Sequence, residues 1–362
     1  MKAITNELQA ELCQTPVQRV YEPERGMIIL HLYTQGRQPG LLFSTDSKYA
    51  RVHLTYKKFQ SQAQPSPFCM LLRKYLIGGR AVSFTNPPLE RVLEIDFDPP
   101  DGMPKVKLIA EIMSRRSNLI LISEDSIILG AARTASWDKN PVRAILPGEK
   151  YRPAPPQDKL NPLEIDADSF NNTFSALFTG GKTAEQALFG TAGGISPLTA
   201  KELLHRSGWD TSRMEESLAK LFTETKALFT GSDAGILQPV MLPVRNIYAA
   251  MPLTHLPPAE QQEFTKANEM LDSFYATVIS DNREKELKNQ LNSAVEKRLS
   301  ALNKKLREQD KELQAAAQAN QFRRYGELLL AYADRVPVGA ESVVLPDIYN
   351  PDEEIIVPLN PS

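Results

Sequence analysis

Two cysteines and four histidines are all the thiols and imidazoles in this chain of 362 residues. Cys13 and Cys69 lie far apart in sequence, each among apolar neighbours, and read as reduced core thiols. That excludes a disulfide framework and a cysteine metal site. His31, His53, His205 and His255 are scattered without ligand spacing, which argues against a metal centre and against a catalytic histidine. No basic start with an apolar core opens the chain, and no apolar run approaches the roughly 20 residues that cross a bilayer. A cytoplasmic protein without a membrane partner is expected. Net charge is missing too: 42 Lys and Arg against 44 Asp and Glu leave −2, so affinity for nucleic acid would have to come from local patches. With no Ser/His/Asp order, no phosphate-binding glycine loop and no metal spacing, the expectation is a binding protein, not an enzyme, with no cofactor.

The length suggests two or three domains. The first third alternates short strand signals with two helices. Residues 3–12 place Ile4, Leu8 and Leu12 at a spacing of four, a short helix. Strands are expected over 17–21, 27–33, 40–43 and near 50–54, with a hairpin turn at Pro23-Glu24-Arg25-Gly26. Pro65-Ser66-Pro67 then precedes a helix over 68–76, its apolar face made by Phe68, Leu71, Leu72, Tyr75 and Leu76 and its outer face carrying Arg73 and Lys74, candidate phosphate contacts. Strands over 81–84, 92–97 and 106–112 follow. Many short strands with few helices indicate an α+β domain built on antiparallel sheet.

Residues 110–122, AEIMSRRSNLILI, are the stretch around which the rest is organised. Residues 119–122 are an apolar run of a buried strand, so Ser114, Arg115, Arg116, Ser117 and Asn118 sit at its entry turn. A solvated, Arg-rich turn is one reading. The other is a phosphate-binding edge, with two planar guanidinium forks and neutral donors from Ser117 and Asn118. A second short run at Ile127-Ile128 follows, then Arg133, Trp137, Arg143 and ILPGEKYRPAPP at 145–156, where Pro147-Gly148 is a turn and the prolines read as a domain exit.

This ordered set of motifs resembles the N-terminal domain of the NFACT family, which includes bacterial RqcH and carries an older fibronectin-binding label. The resemblance extends to YARVHLT at 49–55, PSPFCMLLRKYL at 65–76 and LERVLEIDF at 89–97. It implies a fold similar to the N-terminal domain of Fpg-type DNA glycosylases without the glycosylase chemistry. It also implies tRNA recognition by Glu90, Arg91, Arg115, Arg116, Ser117 and Asn118. Glu90 stands where the family usually has Asp, so Arg91 is the firmer of the pair. Family members usually begin a few residues earlier, with an acidic residue before the first helix. The chain opens at Met1-Lys2-Ala3.

Beyond a polar connector at 160–167, residues 169–177 and 183–188 read as short helices, the second capped by Thr183. Gly193-Gly194-Ile195-Ser196-Pro197 is a tight turn before a helix over 198–207. Helix, glycine turn, helix resembles a helix-hairpin-helix element, in which Gly193 and Gly194 would face a phosphate and Lys201 and Arg206 would add charge. A plain helical packing module is the alternative. Helix continues over 214–229, and strand-like alternation over 235–253 is expected to rejoin the first domain. A long helix is expected from 258 through 320, with Val295, Leu299, Leu302, Leu306, Gln309, Leu313 and Ala316 on a coiled-coil seam. Residues 283–324 carry eleven Lys and Arg against six Asp and Glu, a balance of +5. That face is either merely solvated or able to follow RNA phosphates. Asn320 marks a turn to an antiparallel return helix over 322–336, FRRYGELLLAYADRV, and 342–361 reads as two strands around an acidic turn.

The expected division is 1–160, an NFACT N-terminal domain; 161–232, a helix-hairpin-helix domain; 233–257, strands returning to the first domain; 258–340, a coiled-coil arm; and 341–362, a strand tail. In the family a second arm and a C-terminal RNA-binding domain follow, so the chain reads as an N-terminal portion. The resemblance implies an adaptor that binds the large ribosomal subunit with its stalled peptidyl-tRNA and recruits alanyl-tRNA for alanine tailing. A fibronectin-binding surface adhesin and a glycosylase-like DNA-repair protein are the other classes. The missing export signal opposes the first, and Met1-Lys2, which offers no N-terminal proline nucleophile, opposes the second.

Overall fold

The strand-rich first third pairs as two antiparallel meanders. The computed structural model describes residues 1–360 apart from 35, 37, 61, 63, 101, 139–141 and 231–236. Strands β1 (Thr15–Tyr21), β2 (Met27–Leu32), β3 (Gly40–Ser44) and β4 (Arg51–Thr55) make one meander. The other is β5 (Arg80–Thr85), β6 (Val92–Asp98), β7 (Val106–Glu111), β8 (Asn118–Ser123) and β9 (Ile128–Ala131). A short ladder, Thr15↔Ala81 and Pro16↔Arg80, joins β1 to β5 and yields one nine-stranded sheet in the order β4-β3-β2-β1-β5-β6-β7-β8-β9. The expected antiparallel sheet is therefore present.

Helices α1 (Lys2–Leu12) and α2 (Pro67–Leu76) cover one face of that sheet. Leu8, Leu12, Leu72 and Leu76 pack with Val20, Leu30, Phe43, Leu93 and Phe97, each fully buried side chain contributing about 1.5–3 kcal/mol. The start of α2 is local chemistry: Ser66 Oγ accepts from Cys69 N and Pro67 occupies the first turn, where its missing N–H costs nothing. Gly130 in β9 lets α2 approach, since a Cβ there would meet Leu71 Cδ2 at 2.5 Å. The two ends of the strand order also meet. Ser114 Oγ donates to Ser47 O at 3.1 Å, tying the β3–β4 loop to the β7–β8 turn, and Arg133, just past β9, donates to Thr45 O in the same loop at 2.6 Å.

Four helices follow: α3 (Ala167–Thr179), α4 (Ala184–Thr191), α5 (Pro197–Ser207) and α6 (Met214–Thr230), around Phe170, Phe174, Leu188, Leu203 and Leu221. Thr183 caps α4 as expected, in a full capping box with Gln186. The expected strand segment 235–253 begins outside the described residues. Within it β10 (Val240–Leu242) and β11 (Ile247–Ala249) join β12 (Gln262–Glu263) in a separate three-stranded sheet. It does not extend the large sheet; Met241 instead packs with Met270, Phe274 and Ile4.

Residues 258–266, expected as helix, are not one. Pro258–Glu260 is a single 3-10 turn, Glu263 pairs with Val240, and Phe264 N donates to Pro239 O. Helix α7 begins at Ala267 because Glu7, on α1, caps it: Glu7 Oε1 accepts from Ala267 N at 2.6 Å and Oε2 from Asn268 N at 3.0 Å. Asn268 Oδ1 in turn accepts from Leu54 N on β4, covering that sheet edge.

His53 lies beside this junction, buried, 6.2 Å from the Tyr275 ring centroid, its Nδ1 donating to Leu54 O 2.9 Å away. Burial lowers its pKa to about 4, with the Arg51 charge acting in the same direction. Since the unfolded imidazole titrates near 6.5, the neutral ring contributes stability that is complete above about pH 6.5. That contribution is lost as pH falls toward 4. Stability is expected to drop by roughly 2–3 kcal/mol between pH 7 and 4.5 from this group alone. A His53→Asn variant should flatten that part of a urea-unfolding pH profile; an unchanged slope would refute the assignment.

The described residues divide into two units, Met1–Ser280 and Asp281–Ser362. In the second, α7 runs on to Ala331, so the turn expected at Asn320 and the antiparallel return helix are both corrected. Asn costs only a few tenths of a kcal/mol inside a helix. Here it follows Ala315, Ala316, Ala317 and Ala319 and precedes the Arg323–Glu327 pair, so nothing stops the helix. Val295, Leu299, Leu302, Leu306 and Leu313 of the expected stripe are 50–74% exposed, and Leu287 and Leu291, outside that expectation, are 58% exposed. After α7, β13 (Ser342–Pro346) and β14 (Glu354–Pro358) pair as expected, packing Val343, Leu345 and Val357 on Leu328.

Candidate nucleic-acid interface

Strands β7 and β8 end on the pair Glu111↔Asn118, and Ser114–Arg116 closes the turn as one 3-10 turn. Arg115 and Arg116 are exposed on it. Ser117 and Asn118 are not: they are 1% and 4% exposed. Ser117 Oγ accepts from Met113 N at 2.8 Å. Asn118 Nδ2 donates to Arg133 O, while its Oδ1 accepts from Leu119 N and Arg133 N. The expectation that Ser117 and Asn118 supply phosphate donors is corrected. Both side chains are buried and bonded into the turn, which becomes a pedestal for two guanidiniums.

Arg91 joins them through sheet register. Its carbonyl accepts from Ile112 N at 2.8 Å, beside the start of the turn. Arg91 and Ser114 line one cleft of about 230 Å³ together with Lys48, Arg51, Tyr248 and Tyr275, and no carboxylate is among its lining residues. Arg51 is buried, donating to Tyr49 O at 2.8 Å with its guanidinium 4.8 Å from the Tyr275 ring centroid. Burial pushes its pKa down. Glu90 faces elsewhere. It lines a second cleft of about 490 Å³ with Asn6, Asn86, Gly194 and Phe229, and Arg91 borders both clefts.

The other candidates do not gather here. Arg73 Nε donates to Val20 O at 2.8 Å and Lys74 Nζ lies 5.4 Å from the Tyr75 ring centroid, both on α2 and outside the two clefts. Gly193 N donates to Leu160 O at 2.9 Å, and Thr199 N at the α5 start is taken by Ser196 Oγ. Gly194 faces the side chains of Leu89 and Phe229. A phosphate cradle at Gly193 is therefore corrected: its amide already has a partner. Lys201 is exposed and 3.9 Å from Glu185. Arg206 is occupied by Glu202 at 2.5 Å and Pro252 O at 2.7 Å.

Three features escaped sequence reasoning. Arg133 donates to Arg115 O as well as to Thr45 O, fixing the basic turn from behind. Buried Glu111 receives both guanidinium nitrogens of Arg143 at 2.6 Å and the Tyr151 hydroxyl at 2.9 Å. Burial alone would lower the Arg143 pKa, but the Glu111 bonds carry it above its ordinary value. Burial, then the Glu111 charge, pushes the Tyr151 phenol up. Buried Glu202 receives Arg206, Thr254 and His255. Arg133, Arg143 and Tyr151 stand in the motif that follows the turn, but separations of 32 and 40 residues from Glu111 leave no local signal of pairing.

A family model for NFACT N-terminal and middle domains matches residues 1–362. The chain is 30% identical over 367 residues to the Rqc2 homolog RqcH of Bacillus subtilis, covering 99% of this chain and 62% of that protein. It is 25% identical over 143 residues to the human ribosome quality control complex subunit NEMF, covering 40% of this chain and 13% of that one. Among solved structures it is similar to the N-terminal part of the fibronectin/fibrinogen-binding protein from Streptococcus suis. There the TM-score is 0.63 and the identity 26%, over 76% of this chain and 97% of that one. The chain thus spans less than two thirds of the length of the Bacillus relative.

Proposed function

The chain belongs to the NFACT family as an RqcH-type member, and from that premise we propose that it is a tRNA- and large-ribosomal-subunit-binding adaptor of ribosome-associated quality control. In this reading it recruits alanyl-tRNA to the subunit that carries a stalled peptidyl-tRNA, for C-terminal alanine tailing in the cytoplasm. Peptide transfer is the ribosome's own chemistry, so the protein positions tRNA and catalyses nothing. The observation that carries the reading is the shared site: Arg91 and the Arg115–Arg116 turn flank a cation-lined cleft with no carboxylate in its lining. Exposed guanidiniums on a fixed backbone suit phosphate oxygens, which they can engage two at a time. The relation of human NEMF to a ribosome quality control complex supports the same assignment.

Within this reading, the large sheet is similar to the Fpg-type N-domain, and α4, the glycine turn and α5 form a helix-hairpin-helix element used for packing. The stripe on α7 is a coiled-coil seam. No helix among the described residues is long and apolar enough to cross a membrane.

The test is the double variant Arg91→Ala, Arg115→Ala. Each arginine–phosphate ion pair removed should reduce the slope of log affinity against log salt by about 0.7–0.9. Affinity for tRNA should fall by about 1–3 kcal/mol for each arginine that also reads a base. Unaltered affinity and slope in the double variant would remove the site from consideration. The fibronectin/fibrinogen-binding name of the Streptococcus relative supports a second reading, an adhesin. Surface labelling of intact cells discriminates, since only an adhesin is labelled.

A further inference from the structure

Leu89 holds a left-handed backbone, φ 62°, that a leucine rarely adopts. It lies in the loop between β5 and β6 that carries Glu90-Arg91. The loop is closed from within: Asn86 Nδ2 donates to Glu90 O at 2.9 Å and to Val92 O at 2.6 Å, and Glu90 N donates to Pro87 O. The Glu90 N to Pro87 O bond closes a β-turn with Pro88 and Leu89 at its centre, and a positive φ at the second central residue, most often a glycine, belongs to such a turn. What a leucine adds at this position is found across the second cleft, where its isobutyl group sits over the glycine turn between α4 and α5. A Cβ on Gly194 would meet Leu89 Cδ2 at 3.0 Å and the Phe229 ring at 3.1 Å, and one on Gly193 would meet Leu89 Cδ1 at 3.5 Å. Gly194 itself has φ +74°. Two glycines therefore make the seat, and Leu89 fills it from a turn position that a glycine would hold at lower cost. A strained residue persists only where its surroundings over-determine it, and such residues gather at sites that must hold one geometry.

We infer that the glycine turn of the helical region acts as a brace: Leu89, wedged against Gly194 and Phe229, positions the loop that presents Arg91 to RNA. This rests on the tRNA-binding reading. It gives the turn a role other than phosphate binding, for which the Gly193 amide is already occupied. Leu89 is a positioning residue and touches no RNA itself. Arg91 is the group that does.

Leu89→Gly removes the wedge while suiting the left-handed backbone, so the fold is expected to survive. Leu89→Met keeps a wedge of similar volume. Binding of unfractionated tRNA to the full chain is measured across a salt series for both, for Arg91→Ala and for Leu89→Gly with Arg91→Ala. The expected result is an affinity loss for Leu89→Gly close to that of Arg91→Ala, on the order of tenfold, with the same flattening of the salt slope. Leu89→Met should bind like the parent chain, and the double variant should be no weaker than Arg91→Ala alone, because both changes abolish the same interaction with RNA. Gly194→Ala, which crowds the seat from the other side, should reproduce the loss and its non-additivity. Parent-like binding by Leu89→Gly, or losses that multiply in the double variant, would overturn the brace while the tRNA reading stands. If Arg91→Ala has no effect, the reading of the site fails and the brace with it.

Discussion

Replacing Glu111 by alanine is expected to be among the most destabilising single changes in the chain, at about 3–5 kcal/mol. Glu111 is fully buried and Arg143 is 9% exposed, so the variant leaves a guanidinium in the interior with no counter-charge. The Tyr151 hydroxyl loses its acceptor as well. Arg143 and Tyr151 belong to the strap that covers the outer face of β6 to β9 through Ile145, over Ile109, Ile120 and Ile122. Loosening that strap exposes the cluster and frees the β7–β8 turn, since Glu111 is the register partner of Asn118. Urea unfolding followed by Trp137 fluorescence gives the free energy, and tRNA binding by the folded fraction gives the effect on the turn. The companion variant Glu111→Leu, Arg143→Met should recover most of the stability, because removing both charges also removes their desolvation cost. A single variant within about 1 kcal/mol of the parent, a threshold near the scatter of ordinary substitutions, would show the pair to be dispensable.

The second large effect is expected at Glu202, on the core side of α5. Its carboxylate accepts from Arg206 Nε at 2.5 Å, from Thr254 N and Oγ1, and from His255 N and Nδ1. One side chain thereby holds the 252–255 segment onto the helical region. Burial alone would raise its pKa, but the His255, Thr254 and Arg206 hydrogen bonds outweigh it and hold the carboxyl at about 2. Glu202→Ala should cost roughly 3 kcal/mol. Arg206, a quarter exposed, can recover some hydration and so limits the loss. The sign of the pH dependence follows from the depressed pKa. The stabilisation is complete above about pH 4.5 and fades as pH falls toward 2, so the gap between parent and variant should narrow over that window. Hydrogen exchange should locate the damage at the Leu253 and Thr254 amides, which donate to Gln261 and Glu202. A gap that stays constant from about pH 5 to about pH 2.5 would contradict the assignment; those limits bracket the titration described above.

Part of this molecule could be read locally. The Ser66-Pro67 helix start, the Thr183–Gln186 capping box and the short strands are short-range chemistry, and each lies close to where the sequence pattern puts it. The turn bearing Arg115 and Arg116 was likewise legible, because a polar insert before a continuous apolar run has few other places to go. The sequence also determined the exposed stripe on α7, which follows from a helical spacing of three and four. It overstated the stop at Asn320, since a weak helix former ends a helix only when a better partner for the backbone is at hand.

Tertiary structure decided which polar groups remain available. Ser117, Asn118 and Gly193 have the right chemistry to meet a phosphate, yet each is already paired, two of them with residues 15 or more positions away. Glu7, by contrast, shows nothing in sequence of its role as the cap of a helix that begins 260 residues later. Glu111 and Glu202 look like ordinary carboxylates until folding takes them out of water and surrounds them with donors. Hydrophobic periodicity is a property of neighbours along the chain and survives in the one-dimensional pattern. Hydrogen bonds and ion pairs are exclusive, so which donors and acceptors stay free for a ligand depends on which partners the fold brings within reach.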